Sequence, residues 1–409
     1  MIMRPDHVPA DLVVDFNAFS GDSIEQALEK AESWRRLGPV VWTDHNGGHW
    51  VITSHAGVRQ VLSDAARFSS AQPRKGVTLV EVDRELHVPI EMDGDEHRQY
   101  RRLLIPLFSP RRVQQMQDTI RDVARSLIAG FGERGSCEVV AEYARPLASS
   151  MFLGMLDWPL KDREMLEHLA ELQLNGPANA TQEERAAAKL DAGNQIAQYV
   201  RDRVAERRSG VKATEDMTSV IIDSTLDDGA PIPENKLVAL LRLLMIAGLD
   251  TTQSVLSQSL AYLGEHPEAQ EYLRTHPEEI PAIVEEFLRM GAPAMPSRTA
   301  TADTEVEGVR IAKGDTVHCL IAAANHDAAE YDQPDIAVFT RAVNRHVAFS
   351  VGPHKCIGAP LARVVLAAAL EEFHRAVASY SVVAAQSHSG AVWGMNRVDL
   401  AIKNATVTA

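Results

Sequence analysis

The chain has 409 residues, with 41 Lys or Arg against 56 Asp or Glu, so its formal net charge at neutral pH is −15. This acidic balance argues against nucleic acid as a partner, because phosphate contacts require a basic surface. The three cysteines are too few and too widely spaced for a disulfide framework or a zinc site, and they fit a reducing cytoplasm. Residues 1–21 carry charges rather than an apolar run of about 18 residues, so we expect no membrane anchor.

The first informative segment predicts a β-hairpin. Apolar runs at 40–43 and 50–53 flank Asn46-Gly47-Gly48, and Asn-Gly supplies the positive φ of a tight turn. Residues 71–92 show no clean periodicity and predict a long loop, which is uncommon unless it has a function. Its charged side chains are candidates to bind an acid or an amine: Arg74, Lys75, Glu81, Asp83, Arg84 and Glu85.

A helix is predicted over 93–108, with His97 and Arg101 four residues apart on one face. Two such donors can bind a carboxylate, although a solvated basic face gives the same pattern. Residues 111–208 are mainly helical in pattern. Breaks are predicted at 130–136, at Trp158-Pro159 and at 175–179.

The most apolar element is a predicted helix over 237–264, whose 28 residues would span about 42 Å. Its middle reads Ala247-Gly248-Leu249-Asp250-Thr251-Thr252, which is unfavourable for a helix, because Gly costs about 1 kcal/mol relative to Ala. Asp and Thr also compete for backbone hydrogen bonds. A local rule broken inside a good helix suggests a function, while a helix bend or a buried Thr is the simpler alternative.

Two further segments are mainly structural in pattern. Glu286 and Arg289 lie at i, i+3 on a predicted helix and could form an ordinary surface pair. Residues 298–320 alternate apolar and polar residues, with turn glycines at Gly308 and Gly314, and predict short strands that extend a small sheet.

The last segment, 349–363, sets Cys356 in a loop punctuated by Gly352 and Gly358 and followed by an apolar helix over 360–373. A tight turn at Gly352-Pro353 precedes the cysteine, and Gly358 leaves room for a flat group near the backbone. The helix N-terminus would stabilise a thiolate. A buried structural cysteine is the alternative reading of a lone Cys.

The spacing of this segment resembles the heme-binding loop of the cytochrome P450 family. The matching residues are Phe349, Gly352, His354, Cys356, Gly358, Leu361, Ala362 and Arg363. Ser350 departs from the pattern, since the family usually has a second Gly there, and this bears on loop geometry more than on ligation. The resemblance implies one mainly α domain over 1–409, with a small β-rich lobe, and a heme b whose iron is bound by the Cys356 thiolate.

The resemblance extends to the other motifs. His97 and Arg101 match the His-x-x-x-Arg pair that holds heme propionates, although Asp95 stands where Pro is usual, and Arg298 and His354 stand at further propionate positions. Ala247 to Thr251 match the stretch where the long helix opens for dioxygen, with Asp250 and Thr251 delivering protons. Glu286 and Arg289 match a buried ion pair. Its usual third partner is missing from the Pro334-Asp335-Ile336-Ala337 segment, which leaves Arg341 and His326 as candidates.

Aligned on these motifs, the chain resembles the family in a way that implies an entirely apolar set of substrate-facing residues: Leu243, Ile246, Ala247, Ala294, Met295, Val392 and Trp393. Burying an unpaired charge against them would cost several kcal/mol, so a small hydrophobic, terpenoid-like substrate is favoured. In the resembled family the 71–92 loop roofs the pocket and the 175–179 break resembles a lid.

The implied activity is insertion of one oxygen atom from dioxygen into this substrate. The chain lacks flavin and iron-sulfur motifs, so electrons would come from a separate ferredoxin with its reductase. The segments carrying Arg101, Arg102, Arg111, Arg112, Arg345 and Lys355 predict a basic patch for that donor, although propionate binding by several of them, or scattered surface charge, explains them equally well. Two alternatives remain at this point: a peroxide-using peroxygenase and a non-enzymatic heme sensor or carrier.

Overall fold

The computed structural model describes residues 4–71, 87–177, 180–210, 216–390 and 392–405. Most of the predicted roof loop, with its six charged residues, and Ala178-Asn179 of the predicted lid lie outside these ranges. In the described residues the α-helices are α1 (Ile24–Arg35), α2 (His55–Ser63), α3 (Gly94–Leu104), α4 (Pro110–Gln115), α5 (Gln117–Phe131), α6 (Arg145–Leu156), α7 (Arg163–Asn175), α8 (Gln182–Arg208), α9 (Met217–Ile222), α10 (Glu234–Glu265), α11 (Pro267–Thr275), α12 (Ile280–Met290), α13 (Ile321–Asn325) and α14 (Ala359–Ala376).

The strands are short except for the last two. They are β1 (Val40–Thr43), β2 (His49–Ile52), β3 (Phe68–Ser69), β4 (Ser136–Glu138), β5 (Ser297–Ala300), β6 (Thr304–Val306), β7 (Val309–Ile311), β8 (Thr316–Cys319), β9 (Val377–His388) and β10 (Gly394–Ala405). A five-stranded sheet has the order β1-β2-β8-β5-β3. Helices therefore predominate, with a small β component, as expected.

The predicted hairpin is confirmed as β1 and β2, which pair antiparallel with Trp42 opposite Trp50. Asn46, Gly47 and Gly48 all have positive φ, at 50°, 94° and 75°. Their conformation is the one that Asn and Gly adopt most readily.

The strands predicted over 298–320 are also present, but they do not all extend one sheet. β5 and β8 belong to the five-stranded sheet, whereas β6 and β7 form a separate two-stranded hairpin. Two residues join β6 to β7. The second of them, Gly308, has a φ of 85°, which permits the tight turn of this hairpin. Because Gly308 closes a local turn, β6 finds its partner in the next strand rather than at the edge of the larger sheet.

By its internal contacts the chain divides into two compact units. The first comprises Met1–Val82, Ser257–Cys356 and Ser381–Asp399, and the second comprises Asp83–Leu256, Ile357–Tyr380 and Leu400–Ala409. The expectation of a single domain over 1–409 stays a prediction.

In the first unit, the five-stranded sheet carries apolar clusters on both faces. Trp50, Ile52, Phe68 and Val317 belong to one buried cluster. Val41 and Val51 alternate to the opposite face, where their cluster includes Ala31 and Trp34 of α1. Because successive side chains of β1 and β2 point to opposite faces of the sheet, these strands contribute to two hydrophobic layers.

The second unit is mainly helical, and its core includes the packing of α5 against α14. Phe131 and Tyr143 pack around Phe373, and the buried Tyr143 hydroxyl donates to the carbonyl of Ala369 at 2.7 Å. Apolar burial of this kind contributes about 25 cal/mol per Å². Predicted breaks are confirmed: α5 gives way to a short 3-10 turn and β4, and α6 and α7 end near Trp158 and Asn175.

The predicted long helix is confirmed as α10, which begins three residues earlier and ends one residue later than expected. Its 32 residues correspond to about 48 Å. Among the described residues it is long and apolar enough to meet the length and composition of a membrane span, but 67% of its most apolar 18-residue window is buried. That burial is what a core helix of a water-soluble protein would also show.

Candidate active site

The loop that carries Cys356 is tightly turned. Gly352 to His354 form one 3-10 turn, and Gly352 has a φ of 73°. A Cβ at Gly352 would lie 2.5 Å from the carbonyl oxygen of Leu62, so both the dihedral and the space require glycine. The Cys356 amide donates to the carbonyl of Phe349 at 2.8 Å, which closes the loop.

Ser350, the departure from the family pattern, also has a left-handed backbone, with a φ of 59°. Its amide donates to the carbonyl of Val347 at 2.8 Å. The usual glycine at this position is therefore explained by backbone geometry, as expected. A residue with a Cβ costs roughly 1–2 kcal/mol in this conformation.

The three cysteines differ sharply in their surroundings. Cys356 is exposed, whereas Cys137 and Cys319 are buried. Burial raises the pKa of the Cys319 thiol to about 12, despite the opposing charge of Arg298. Since the thiolate is the metal-binding form, Cys356 is the cysteine best suited to be a ligand.

Helix α14 begins at Ala359, three residues after Cys356, with Gly358 in the N-cap position. Gly358 has a φ of −78°, a conformation open to any residue. The backbone conformation at position 358 therefore does not require glycine. Close approach of another group is a remaining reason for glycine there.

The four predicted propionate partners lie two in each unit. In the second unit, α3 carries the buried His97 and the half-buried Arg101 on one helical face. In the first unit, Arg298 on β5 is only 4% exposed, and His354 in the 3-10 turn is half-buried. Arg298 donates to the carbonyl of Ser297 at 2.8 Å. A nearly buried guanidinium suits an anionic partner, because pairing with an opposite charge offsets the cost of burial.

The two residues predicted to deliver protons, Asp250 and Thr251, are hydrogen-bonded to other residues of α10. The Thr251 hydroxyl donates to the carbonyl of Ala247 at 3.0 Å, and the Ser254 hydroxyl donates to that of Asp250 at 2.9 Å. The Asp250 carboxylate accepts from Nε2 of the buried Gln253 at 2.7 Å. Sequence reasoning missed Gln253, although its i, i+3 spacing from Asp250 was a usable signal.

Gly248 has a packing role that the sequence did not reveal. A Cβ there would lie 2.2 Å from Cδ2 of Phe152, so the helix can pass this ring only with glycine. Ala247 is exposed, although the adjacent Ile246 and the nearby Leu249 are buried. The Ala247 face of the central turn of α10 is thus open.

The predicted substrate-facing residues have varied surroundings. In the second unit Leu243 is half-buried and Ile246 is buried. In the first unit a β-bridge joins the half-buried Ala294 to Val392. Met295 and Trp393 are 6% and 3% exposed and belong to the apolar cluster that contains Trp34. Their membership of that cluster gives these two side chains a packing role in the core.

Glu286 is the centre of a buried ionic cluster in the first unit. Arg289 donates to its carboxylate through Nε and Nη2, at 3.0 and 2.9 Å. Arg341 donates through Nε and Nη2 at 3.1–3.2 Å, and the Asn344 amide and the Val338 backbone add bonds of 3.0 and 2.9 Å. Burial raises the pKa of Glu286, but these bonds outweigh it and leave the pKa lowered.

The third partner of this pair is Arg341, and His326 is not part of the cluster. His326 Nδ1 instead bonds to the carbonyl of Ala322 at 2.9 Å, and burial lowers its pKa. The remaining donors of Arg289 are satisfied by the carbonyls of Asn325, Pro334 and Ile336. A buried pair is stable only when its other donors are paired in this way.

Comparison with known proteins identifies the family. The family model described as Cytochrome P450 matches residues 176–378. A relative named probable cytochrome P450 127A1, from Sinorhizobium fredii, is 32% identical over 97% of this chain and 96% of its own length. The erythromycin C-12 hydroxylase of Saccharopolyspora erythraea is 34% identical over 81% of this chain and 82% of its own length. The solved structure of CYP101J2 matches with a TM-score of 0.85 and 28% identity, covering 98% of this chain and all of that one.

The chain belongs to the cytochrome P450 family. Its cofactor is heme b, held by a cysteine thiolate, and the protein is a heme-thiolate monooxygenase that acts on an organic substrate with dioxygen. The side chains present fit this cofactor, since the chain offers one exposed thiol and a nearly buried guanidinium suited to an anion.

Proposed function

We propose that Cys356 is the thiolate ligand and that His97, Arg101, Arg298 and His354 bind the heme propionates. The observation that carries this proposal is the exposure of Cys356 in a loop bracketed by glycines, while the other two cysteines are buried. Gly358, Ala247 and Gly248 are proposed to border the heme. When bound, the heme supplies the activation of dioxygen, which no side chain can perform.

The proposed role of Asp250 and Thr251 is to supply protons to the dioxygen substrate. A carboxyl group and a hydroxyl one residue apart at the open turn of α10 support this role, because positioned acids typically contribute 10²- to 10⁴-fold. The Gln253 amide holds the carboxylate by a bond of 2.7 Å, which keeps it oriented. The presence of this pair counts against a peroxygenase, which takes its oxygen from hydrogen peroxide and can lack both groups.

The ligand assignment is tested by the spectrum of the reduced protein with carbon monoxide. We expect an absorption band at about 450 nm, the wavelength in the family name, because thiolate ligation produces it. Cys356→His should move the band to about 420 nm, since imidazole replaces the thiolate. Cys319→Ser is the matched control and should leave the band in place. An unchanged band in Cys356→His would contradict the assignment.

The proposed substrate is a small hydrophobic, terpenoid-like molecule, hydroxylated or epoxidised by one oxygen atom. Support comes from the apolar character of Leu243, Ile246, Ala294 and Val392, against which apolar surface gains about 25 cal/mol per Å². The relative named erythromycin C-12 hydroxylase acts at a carbon position of an organic molecule, which supports the reaction type. It does not narrow the substrate further.

A spectral titration of the ferric protein tests the substrate class. Three panels are compared: monoterpenoids, long-chain fatty acids and aromatic carboxylates. We expect a low-spin to high-spin shift at micromolar concentration with the monoterpenoids, because the four apolar residues proposed to face the substrate offer no charge to pair with a carboxylate. A shift with the carboxylates alone would show that a charged side chain sets the specificity.

The proposed electron donor is a ferredoxin with its own reductase, in the cytoplasm. The absence of flavin and iron-sulfur motifs from the sequence supports a separate donor. Product formation that depends on NAD(P)H and on both surrogate proteins supports this proposal. Equal product formation from hydrogen peroxide alone would instead identify a peroxygenase.

A further inference from the structure

The segment that leads into the Cys356 loop contains a histidine with two distinct hydrogen bonds. The side chain of His346 is 4% exposed, and its Nε2 lies 3.1 Å from Oε2 of Glu285 on α12. Its Nδ1 lies 3.2 Å from the backbone nitrogen of Ala348. The imidazole therefore joins a helix carboxylate to the backbone two residues further along the chain.

These two bonds determine the tautomer of the ring. The Ala348 N–H can only donate, so Nδ1 of His346 must be the acceptor and carries no hydrogen. Nε2 then carries the hydrogen and donates it to the Glu285 carboxylate. Both ring nitrogens are occupied, and their roles cannot be exchanged without losing a bond.

The position of this ring bears directly on the cysteine loop. Ala348 precedes Phe349, whose carbonyl accepts the Cys356 amide at 2.8 Å. The His346 and Phe349 rings are also neighbours, with centroids 6.0 Å apart. Moving Ala348 would move the Phe349 carbonyl and weaken this bond, so the backbone that carries the Cys356 sulfur would be held less firmly.

The same segment is anchored by other hydrogen bonds too, so His346 is one of several residues that hold it in place. Asn344 donates to Glu286 at 3.0 Å, and the Val347 amide donates to Oδ1 of the buried Asn325 at 2.9 Å. These bonds hold the segment before and after His346. The His346 ring joins Glu285 of α12 to the backbone of Ala348, the residue before Phe349.

We propose that His346, oriented by Glu285, is a positioning residue for the thiolate: it holds the Phe349 carbonyl as the acceptor of the Cys356 amide and so fixes the backbone that carries the sulfur. This inference rests on the proposed ligation by Cys356. Groups around a metal ligand tune the metal, and a loosened loop would admit donors such as water to the sulfur, which lower its negative charge. The heme reduction potential reports that charge.

Two substitutions of His346 separate its two bonds. The amide oxygen of His346→Asn occupies the place of Nδ1 and still accepts from Ala348, whereas the amide of His346→Gln extends toward Glu285 and loses the Ala348 bond. We expect His346→Gln to make the potential more positive and to increase the fraction of protein that absorbs at about 420 nm with carbon monoxide. His346→Asn should stay near the parent protein in both measurements.

His374→Asn is the matched control for the loss of a buried histidine. His374 also uses both nitrogens, bonding to the Leu370 carbonyl at 2.7 Å and the Tyr380 hydroxyl at 2.9 Å. His374→Asn should lower the melting temperature without changing the reduction potential or the spectrum. Glu285→Ala provides a second variant should His346→Gln fail to fold, and we expect a smaller shift of potential in the same direction.

A potential and spectrum equal to those of the parent in both His346→Gln and Glu285→Ala would overturn the inference. If only the melting temperature falls, as in the control, His346 is merely structural. Cys356→Ser distinguishes a failure of the ligand assignment from a failure of the role given to His346. Retention of the band at about 450 nm in Cys356→Ser would reject the ligand assignment itself, whereas its loss together with unaffected His346 variants would reject the role of His346 alone.

Discussion

At the scale of single residues, Ser350 illustrates how a backbone angle explains a sequence preference. Its φ of 59° lies in the left-handed region that glycine adopts freely. The hydroxyl offers little in return, because its contact with the Val351 carbonyl is 3.5 Å long. The serine is therefore a local strain in the loop that carries Cys356.

We predict that Ser350→Gly raises the apparent melting temperature of the heme-loaded protein. Relief of a cost of roughly 1–2 kcal/mol exceeds the entropy penalty of about 0.4–1 kcal/mol for adding a glycine. Ser109→Gly, at a φ of −61°, is the control and should lower the melting temperature, since only the entropy penalty applies. Equal changes in the two variants, measured by thermal unfolding, would show that Ser350 is not strained.

At the scale of elements, α10 combines a buried apolar helix with a polar central turn. The hydroxyls of Thr251 and Ser254 bond to carbonyls four residues earlier, a pattern that slightly destabilises and often bends helices. Gly248 adds to this cost, and the contact with Phe152 explains why no larger residue can stand there. The central turn of α10 is therefore less stable than an ordinary helical turn, and it lies at the proposed site of proton delivery.

We predict that Thr251→Ala continues to consume NAD(P)H but releases hydrogen peroxide instead of hydroxylated product. The reason is that the hydroxyl directs protons during oxygen activation, whereas electron supply does not depend on it. The measurement is the ratio of product and peroxide to NAD(P)H consumed. Thr252→Ala, the adjacent half-buried threonine, is the matched control and should remain coupled. Full coupling in Thr251→Ala would contradict the proton-delivery role.

The cluster around Glu286 is the element-scale feature that the sequence described least completely. The i, i+3 spacing predicted the pair with Arg289, but Arg341 lies 55 residues from Glu286 along the chain. Two candidates could not be separated because nothing local distinguishes them. The packing of the 338–346 segment against α12 decides for Arg341, and the same packing brings His346 to Glu285.

At the scale of the whole molecule, the net charge of −15 contrasts with the basic residues of the patch predicted for the electron donor. Lys355 is exposed, and the side chain of Arg345 is 68% exposed with Glu330 as a partner at 3.7 Å. Arg102 is paired with Asp227. Part of the predicted basic patch is thus neutralised by neighbouring carboxylates, which limits the steering that it can provide.

We predict that the apparent affinity for an acidic ferredoxin falls as ionic strength rises, because the screening length shortens from about 30 Å at 0.01 M to about 8 Å at 0.15 M. The measurement is the donor concentration at half-maximal turnover over a salt series. The dissociation constant of an uncharged substrate, followed by spectral titration over the same series, is the control and should stay constant. A donor affinity independent of salt would reject steering by charge.

The sequence by itself determined the helical class, the hairpin at Asn46-Gly47, the long helix α10 and the family, because each depends on residues close together in the chain. Local periodicity, turn chemistry and motif spacing all act over a few residues. Only the tertiary structure decided that Arg341 completes the Glu286 cluster, that Phe152 requires Gly248 and that Met295 and Trp393 pack in a core cluster. These contacts join residues far apart in sequence, and their partners are selected by the packing of whole elements, which no local pattern encodes.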